Sequence, residues 1–130
     1  MSRDVEVIKS SETVEEAAKR LARENIGAMP ICDGERLTGM LTDRDIVVKV
    51  IAQGKSPSQT RASELQTGKP VYVQADASID EAMQLMAQNK VRRLPVVEDG
   101  KLVGMLAQAD VVKALPKERA GELIETISKD

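Results

Sequence analysis

The chain contains no histidine, tryptophan or phenylalanine, and it has one tyrosine, Tyr72, and one cysteine, Cys32. Without histidine the commonest general base and metal ligand is missing. A lone cysteine cannot close an intrachain disulfide, which fits a reducing cytosol. Cys32 lies in the apolar run Met29-Pro30-Ile31-Cys32, where it reads as a small core residue. The scarcity of aromatics removes the stacking platforms of single-strand nucleic-acid binders. It also leaves the core to Val, Ile, Leu, Met and Ala, and assigns Met29, Met40, Met83, Met86 and Met105 to core filling. The net charge is −2, with no basic stripe, so nucleic acid is not an expected partner. No apolar run reaches membrane-spanning length and the first residues carry no signal-peptide pattern, so a cytoplasmic protein with no membrane contact is expected. No Gly-rich phosphate loop, nucleophile elbow or paired-carboxylate motif is present. The chain is therefore read as a non-enzyme, with no catalytic residues and no metal ligands.

What is present is a doubled frame within 130 residues, 42% of them apolar and 31% charged. Advancing 65 positions takes Pro30 to Pro95, Leu37 to Leu102, Gly39 to Gly104 and Asp45 to Asp110 without a gap. Each copy opens with a short strand, Val5–Ile8 or Val71–Val73. A helix then starts at a capping-box pattern, Thr13-Val14-Glu15-Glu16 or Ser78-Ile79-Asp80-Glu81. Proline-containing strands follow at 28–32 and 94–97, with the proline suggesting a strand start or an edge. Asp33-Gly34 and Asp99-Gly100 are hairpin signals, leading to strands at 37–41 and 102–106. Closing helices are predicted over 43–53 and 108–115. The fold class is α+β (α/β), two β-α-β-β-α repeats packed as a pseudo-two-fold sandwich. The expected division is residues 1–53, a polar linker 54–60, a second repeat 61–115 whose residues 61–66 form a short helical lead-in, and a C-terminal helix 116–130. That last stretch places Ala120, Leu123, Ile124 and Ile127 on one face. The first repeat has no counterpart to the lead-in, so its start reads either as trimmed or as open to a partner.

The runs Val91-Arg92-Arg93-Leu94-Pro95-Val96-Val97, Asp99–Leu106 and Asp110-Val111-Val112 resemble the CBS domain. Ile26–Cys32 with Leu37–Val47 resembles a second copy. Together they resemble a stand-alone CBS pair, or Bateman module, of the small bacterial, mycobacterial hypoxic-response type. The resemblance implies an adenosine-containing ligand, such as AMP, ADP, ATP or S-adenosylmethionine, in clefts between the repeats. It implies no required cofactor, a regulatory role, a homodimer and an unidentified protein target.

Carried onto this chain, the family pattern makes two unequal sites. Site one has Thr42, Arg44 and Asp45 facing Val91, Arg92 and Arg93 of the other repeat. The carboxylate would take the ribose hydroxyls, while the hydroxyl and the arginines would meet phosphate. Site two has Asp110 facing Ile26, Gly27 and Ala28, with Ala107 where Thr42 stands in the first copy. It could hold a ribose but serves phosphate poorly. Two plainer readings stand beside these. Thr42-x-x-Asp45 is also a helix cap, and Arg92 and Arg93 point to opposite faces of a strand, where either could be solvated. A ligand-independent dimerising scaffold or protein-interaction module is the alternative function.

Overall fold

A computed structural model describes residues 5–66 and 70–113. The chain divides into two compact units, with the boundary between Pro70 and Val71. Both are mixed α and β. The expected C-terminal helix 116–130, with its apolar face, and the end of the closing helix at Leu115 lie outside the described residues.

In the first unit, β1 (Ile8–Lys9) runs parallel to β2 (Ala28–Asp33), which pairs antiparallel with β3 (Arg36–Thr42). Helix α1 (Val14–Glu24) is the crossover between the parallel pair. Its Thr13 Oγ1 accepts from Glu16 N at 3.2 Å, and it ends at Asn25 in the left-handed region (φ 54°). Asparagine tolerates that conformation better than most residues. Val14, Ala17 and Leu21 lie on one buried face, while Ala22 is exposed. The opening strand is shorter than the sequence suggested and shifted toward its C-terminal end, because only Ile8 and Lys9 find parallel partners, Ile31 and Cys32.

Pro30 lies inside β2 rather than at its start. The sheet tolerates it because the parallel ladder begins one residue later, at Ile31, so the missing N–H forfeits no bond on that side. Between Ile31 and Cys32 the register to β3 slips, and Thr38 is the extra residue of the bulge. Its hydroxyl reaches the Ile31 carbonyl at 3.1 Å. The hairpin turn is Gly34-Glu35, closed by the Asp33–Arg36 pair, with Gly34 at φ 63°. The expected Asp33-Gly34 turn is thus displaced by one residue.

Strand β3 feeds directly into α2 (Asp43–Ile46), which widens into a π-turn over Val47–Ile51 instead of continuing as the expected α-helix. Bonds from Ala52 N to Val47 O (2.8 Å) and Lys55 N to Val50 O (2.9 Å) have the i→i+5 spacing of that turn. The polar linker 54–60 and the lead-in 61–66 are bonded to the first unit. Thr60 is 4% exposed, Pro57 O accepts from Glu15 N at 3.0 Å, and the 3₁₀ turn Ala62–Glu64 bonds to the first unit through Ala62 N–Glu12 O (2.8 Å) and Ser63 N–Ser10 O (3.0 Å). Ala62 and Leu65 complete the core made by Ile8, Leu21, Met29, Ile31, Leu41 and Val50. Burial of those two side chains draws the segment onto the first unit.

The second unit repeats the pattern: β4 (Val73–Gln74), α3 (Ile79–Asn89), β5 (Arg93–Glu98), β6 (Lys101–Ala107) and α4 (Gln108–Lys113). β4 pairs parallel with β5, and β5 antiparallel with β6. Here the turn is the expected Asp99-Gly100, with both residues at positive φ (53° and 79°), as a type I′ hairpin requires. Val73, Ala82, Met86, Leu94, Val96 and Val111 form its core. Of the methionines expected inside, Met29 and Met86 are fully buried, while Met40, Met83 and Met105 are half-buried.

Candidate functional site

The junction of β3 and α2 holds the first predicted constellation. Thr42 is the last residue of β3 and the N-cap of α2. Its Oγ1 accepts from Asp45 N at 3.0 Å, and its N–H donates to Asp45 Oδ2 at 3.0 Å. Both halves of the capping box are therefore formed, and the carboxylate is held in one orientation. The second oxygen, Oδ1, lies 3.3 Å from Lys49 Nζ one turn later; the two side chains are 23% and 38% exposed. Arg44 is exposed, and its N–H bonds Asp43 Oδ1 at 2.8 Å.

The strand opposite supplies the rest of the local frame. Ala28 pairs with Thr42, and Gly27 O accepts from Asp43 N at 2.9 Å. A Cβ built on Gly27 would stand 3.4 Å from Asp43 Oδ2, so the residue before the strand approaches this helix start closely. A groove of about 500 Å³ adjoins it, bounded by Leu21, Ala22, Gly27, Asp43, Ile46 and Val47. Its walls do not include Thr42 or Asp45.

The second unit has the same backbone frame with different chemistry. Ala107 N donates to Asp110 Oδ2 at 3.0 Å, reproducing the Thr42–Asp45 backbone bond without a hydroxyl. That bond is the main reason the Asp110 carboxyl titrates below its ordinary value; its burial works in the other direction, and Lys113 adds a smaller lowering. Arg92 O accepts from Gln108 N at 2.7 Å, and Arg93 pairs with Ala107. Both arginines are exposed, whereas Val91 packs against the unit's core.

Within each unit, then, the strand-start residues neighbour the helix start of their own repeat. Ile26, Gly27 and Ala28, grouped from sequence with Asp110, lie beside Thr42 and Asp43. Val91, Arg92 and Arg93, grouped from sequence with Thr42, Arg44 and Asp45, lie beside Ala107 and Gln108. Lys49 was missed altogether, although an acid followed four residues later by a lysine was a legible signal.

A CBS domain family model matches residues 1–52 and again 62–117. Hypoxic response protein 1 of Mycobacterium tuberculosis is 41% identical over 128 residues, 98% of this chain and 90% of that protein. A crystal structure of Hypoxic Response Protein I with two coordinated zinc ions superposes with a TM-score of 0.81 at 44% identity, covering 89% of this chain and 95% of that one. A crystal structure of CBSX2 in complex with AMP gives a TM-score of 0.74 at 30% identity, covering 88% and 90%. The sequence has no histidine, and among the described residues no group of three or more Cys, Asp or Glu side chains is placed to hold a metal ion. Cys32 is buried in β2, and burial pushes its thiol up, away from the thiolate a metal needs. A repeated strand–helix–hairpin–helix unit, acid-capped helix starts in both copies and two family matches covering most of the chain lead to one conclusion: the protein belongs to the CBS domain family.

Proposed function

We propose that the chain is a non-enzymatic regulatory module that binds an adenosine-containing ligand, AMP, ADP, ATP or S-adenosylmethionine, at the Thr42–Asp45 junction. The observation that carries this reading is the fixed Asp45 carboxylate. Its orientation is set by the Thr42 N–H, and it stays partly open to solvent, as a group accepting ribose hydroxyls must. A family member bound to AMP supports the choice of ligand class. Arg44, Arg92 and Arg93 are exposed cations suited to phosphate, with Val91 as an apolar neighbour. Asp110, with Ile26, Gly27 and Ala28, is the weaker site, because Ala107 brings no hydroxyl. Binding would regulate a partner protein by favouring one of two states of the module. Calorimetric titration with the four ligands is the test. Failure of all four to bind below about 1 mM, roughly −4 kcal/mol, would end the proposal.

A dimerising scaffold is supported by a separate observation. Val47, Val48 and Ile51 are 58%, 42% and 56% exposed on the turn that follows α2. Contiguous exposed apolar side chains favour a protein contact, and a second copy of the chain is the proposed partner. Light scattering after gel filtration should report a dimer that Ile51→Glu weakens; a wild-type monomer would remove this reading.

A further inference from the structure

We infer that Lys49 is a ribose contact of the Thr42–Asp45 site, acting with Asp45 as a matched donor and acceptor for a vicinal diol; this rests on the adenosine reading above. Asp45 Oδ2 is engaged by Thr42 N at 3.0 Å, and Oδ1 lies 3.3 Å from Lys49 Nζ. An ionised carboxylate only accepts hydrogen bonds, and an ammonium only donates them, through three N–H groups. One of those N–H groups is directed at Asp45, which leaves two for a ligand. A hydroxyl does both. A diol that donates to the carboxylate turns its oxygen lone pairs toward donors, and the ammonium beside Asp45 supplies them. Neither group alone satisfies both demands.

The local fold holds the pair together. Asp45 is fixed by its cap, and Lys49 lies in the π-turn beside Val50, which is fully buried. The exposures of 23% and 38% leave both charged groups within reach of a ligand. The repeat offers an internal comparison. Asp110 keeps its backbone bond to Ala107, but the residue 65 positions beyond Lys49 is Ala114, and the lysine acting on Asp110 is Lys113, three residues on instead of four. Lys49 thus adds a second chemical difference between the repeats, independent of Thr42 against Ala107.

The test is calorimetry on the full chain with AMP and 2′-deoxy-AMP, using wild type, Lys49→Met and Lys49→Arg. Lys49→Met should weaken AMP about tenfold, the scale of a charge-assisted hydrogen bond, and leave 2′-deoxy-AMP within about twofold, the scale of an exposed ion pair. Discrimination between the two nucleotides should collapse. Lys49→Arg should restore most of the AMP affinity, and the thermal midpoint of Lys49→Met should stay near that of the wild type. Unchanged AMP binding by Lys49→Met overturns the inference and leaves the adenosine reading standing. Equal losses for both nucleotides also overturn it, since they would mark a general attraction for phosphate. If the wild type binds neither nucleotide, the inference is overturned, while the adenosine reading falls only if ADP, ATP and S-adenosylmethionine also fail to bind.

Discussion

Asp45 caps a helix and is proposed to hold a ligand, and two substitutions separate those tasks. In Asp45→Asn the amide oxygen can still accept from Thr42 N, so the backbone half of the capping box survives. What disappears is the charge and its pairing with Lys49. With both side chains partly exposed, that pair contributes about 0.3–0.5 kcal/mol. Thr42→Ala instead removes the acceptor of Asp45 N, an N-cap loss of about 1 kcal/mol. At about 4 °C per kcal/mol for a chain of this size, the thermal midpoints should fall by about 2 °C and about 4 °C respectively. Ligand affinity should follow the opposite order. Replacing the ionised acceptor of two hydroxyls should weaken binding by about 2–3 kcal/mol, roughly 30- to 150-fold. Loss of one neutral hydroxyl should weaken it by about 1 kcal/mol, roughly fivefold. Scanning calorimetry and titration calorimetry on the same preparations give both series. If the affinity losses rank with the stability losses, Asp45 acts only as a cap, and the ligand role is refuted.

Three further outcomes follow from the packing. A Cβ on Gly39 would lie 2.8 Å from Gln66 Cβ, so Gly39→Ala must push Gln66 away from β3; a loss of about 1–3 kcal/mol is expected by chemical denaturation, and a neutral result would contradict the packing of Gln66 on the first unit. The Asp110 carboxyl titrates below its ordinary value of 3.8, so its stabilisation is complete above that pH and is lost as pH falls through the lower folded value. Asp110→Asn should therefore be less stable than wild type at pH 7, with the gap closing in acid; a gap that widens below pH 4 would reverse the sign. Cys32 is 3% exposed with its thiol pushed up by burial, so iodoacetamide should modify it only on unfolding, and rapid labelling of the native protein would refute its core position.

The sequence by itself determined the doubled unit, its element order and its helix starts. These depend on signals a few residues long: the Thr13, Thr42 and Ser78 hydroxyls at helix starts, and Asp99-Gly100 in a turn. Such signals act on their own backbone, so a linear reading finds them. It also singled out Asp45 and Asp110 as candidates, because the repeat keeps the acid while Thr42 gives way to Ala107. Only the tertiary structure decided matters that depend on distant chain. Ala62 and Leu65 align with the second copy of the family, yet they bury their side chains in the first unit. Gly27 joins Asp43 through a bond that spans the hairpin, and Pro30 fits inside β2 because β1 begins pairing one residue later. The placement of Lys49 against Asp45 also awaited the structure, because spacing alone does not say which oxygen of a capped carboxylate is left for an ammonium. Non-local burial and hydrogen bonding select among arrangements that local pattern leaves equally open.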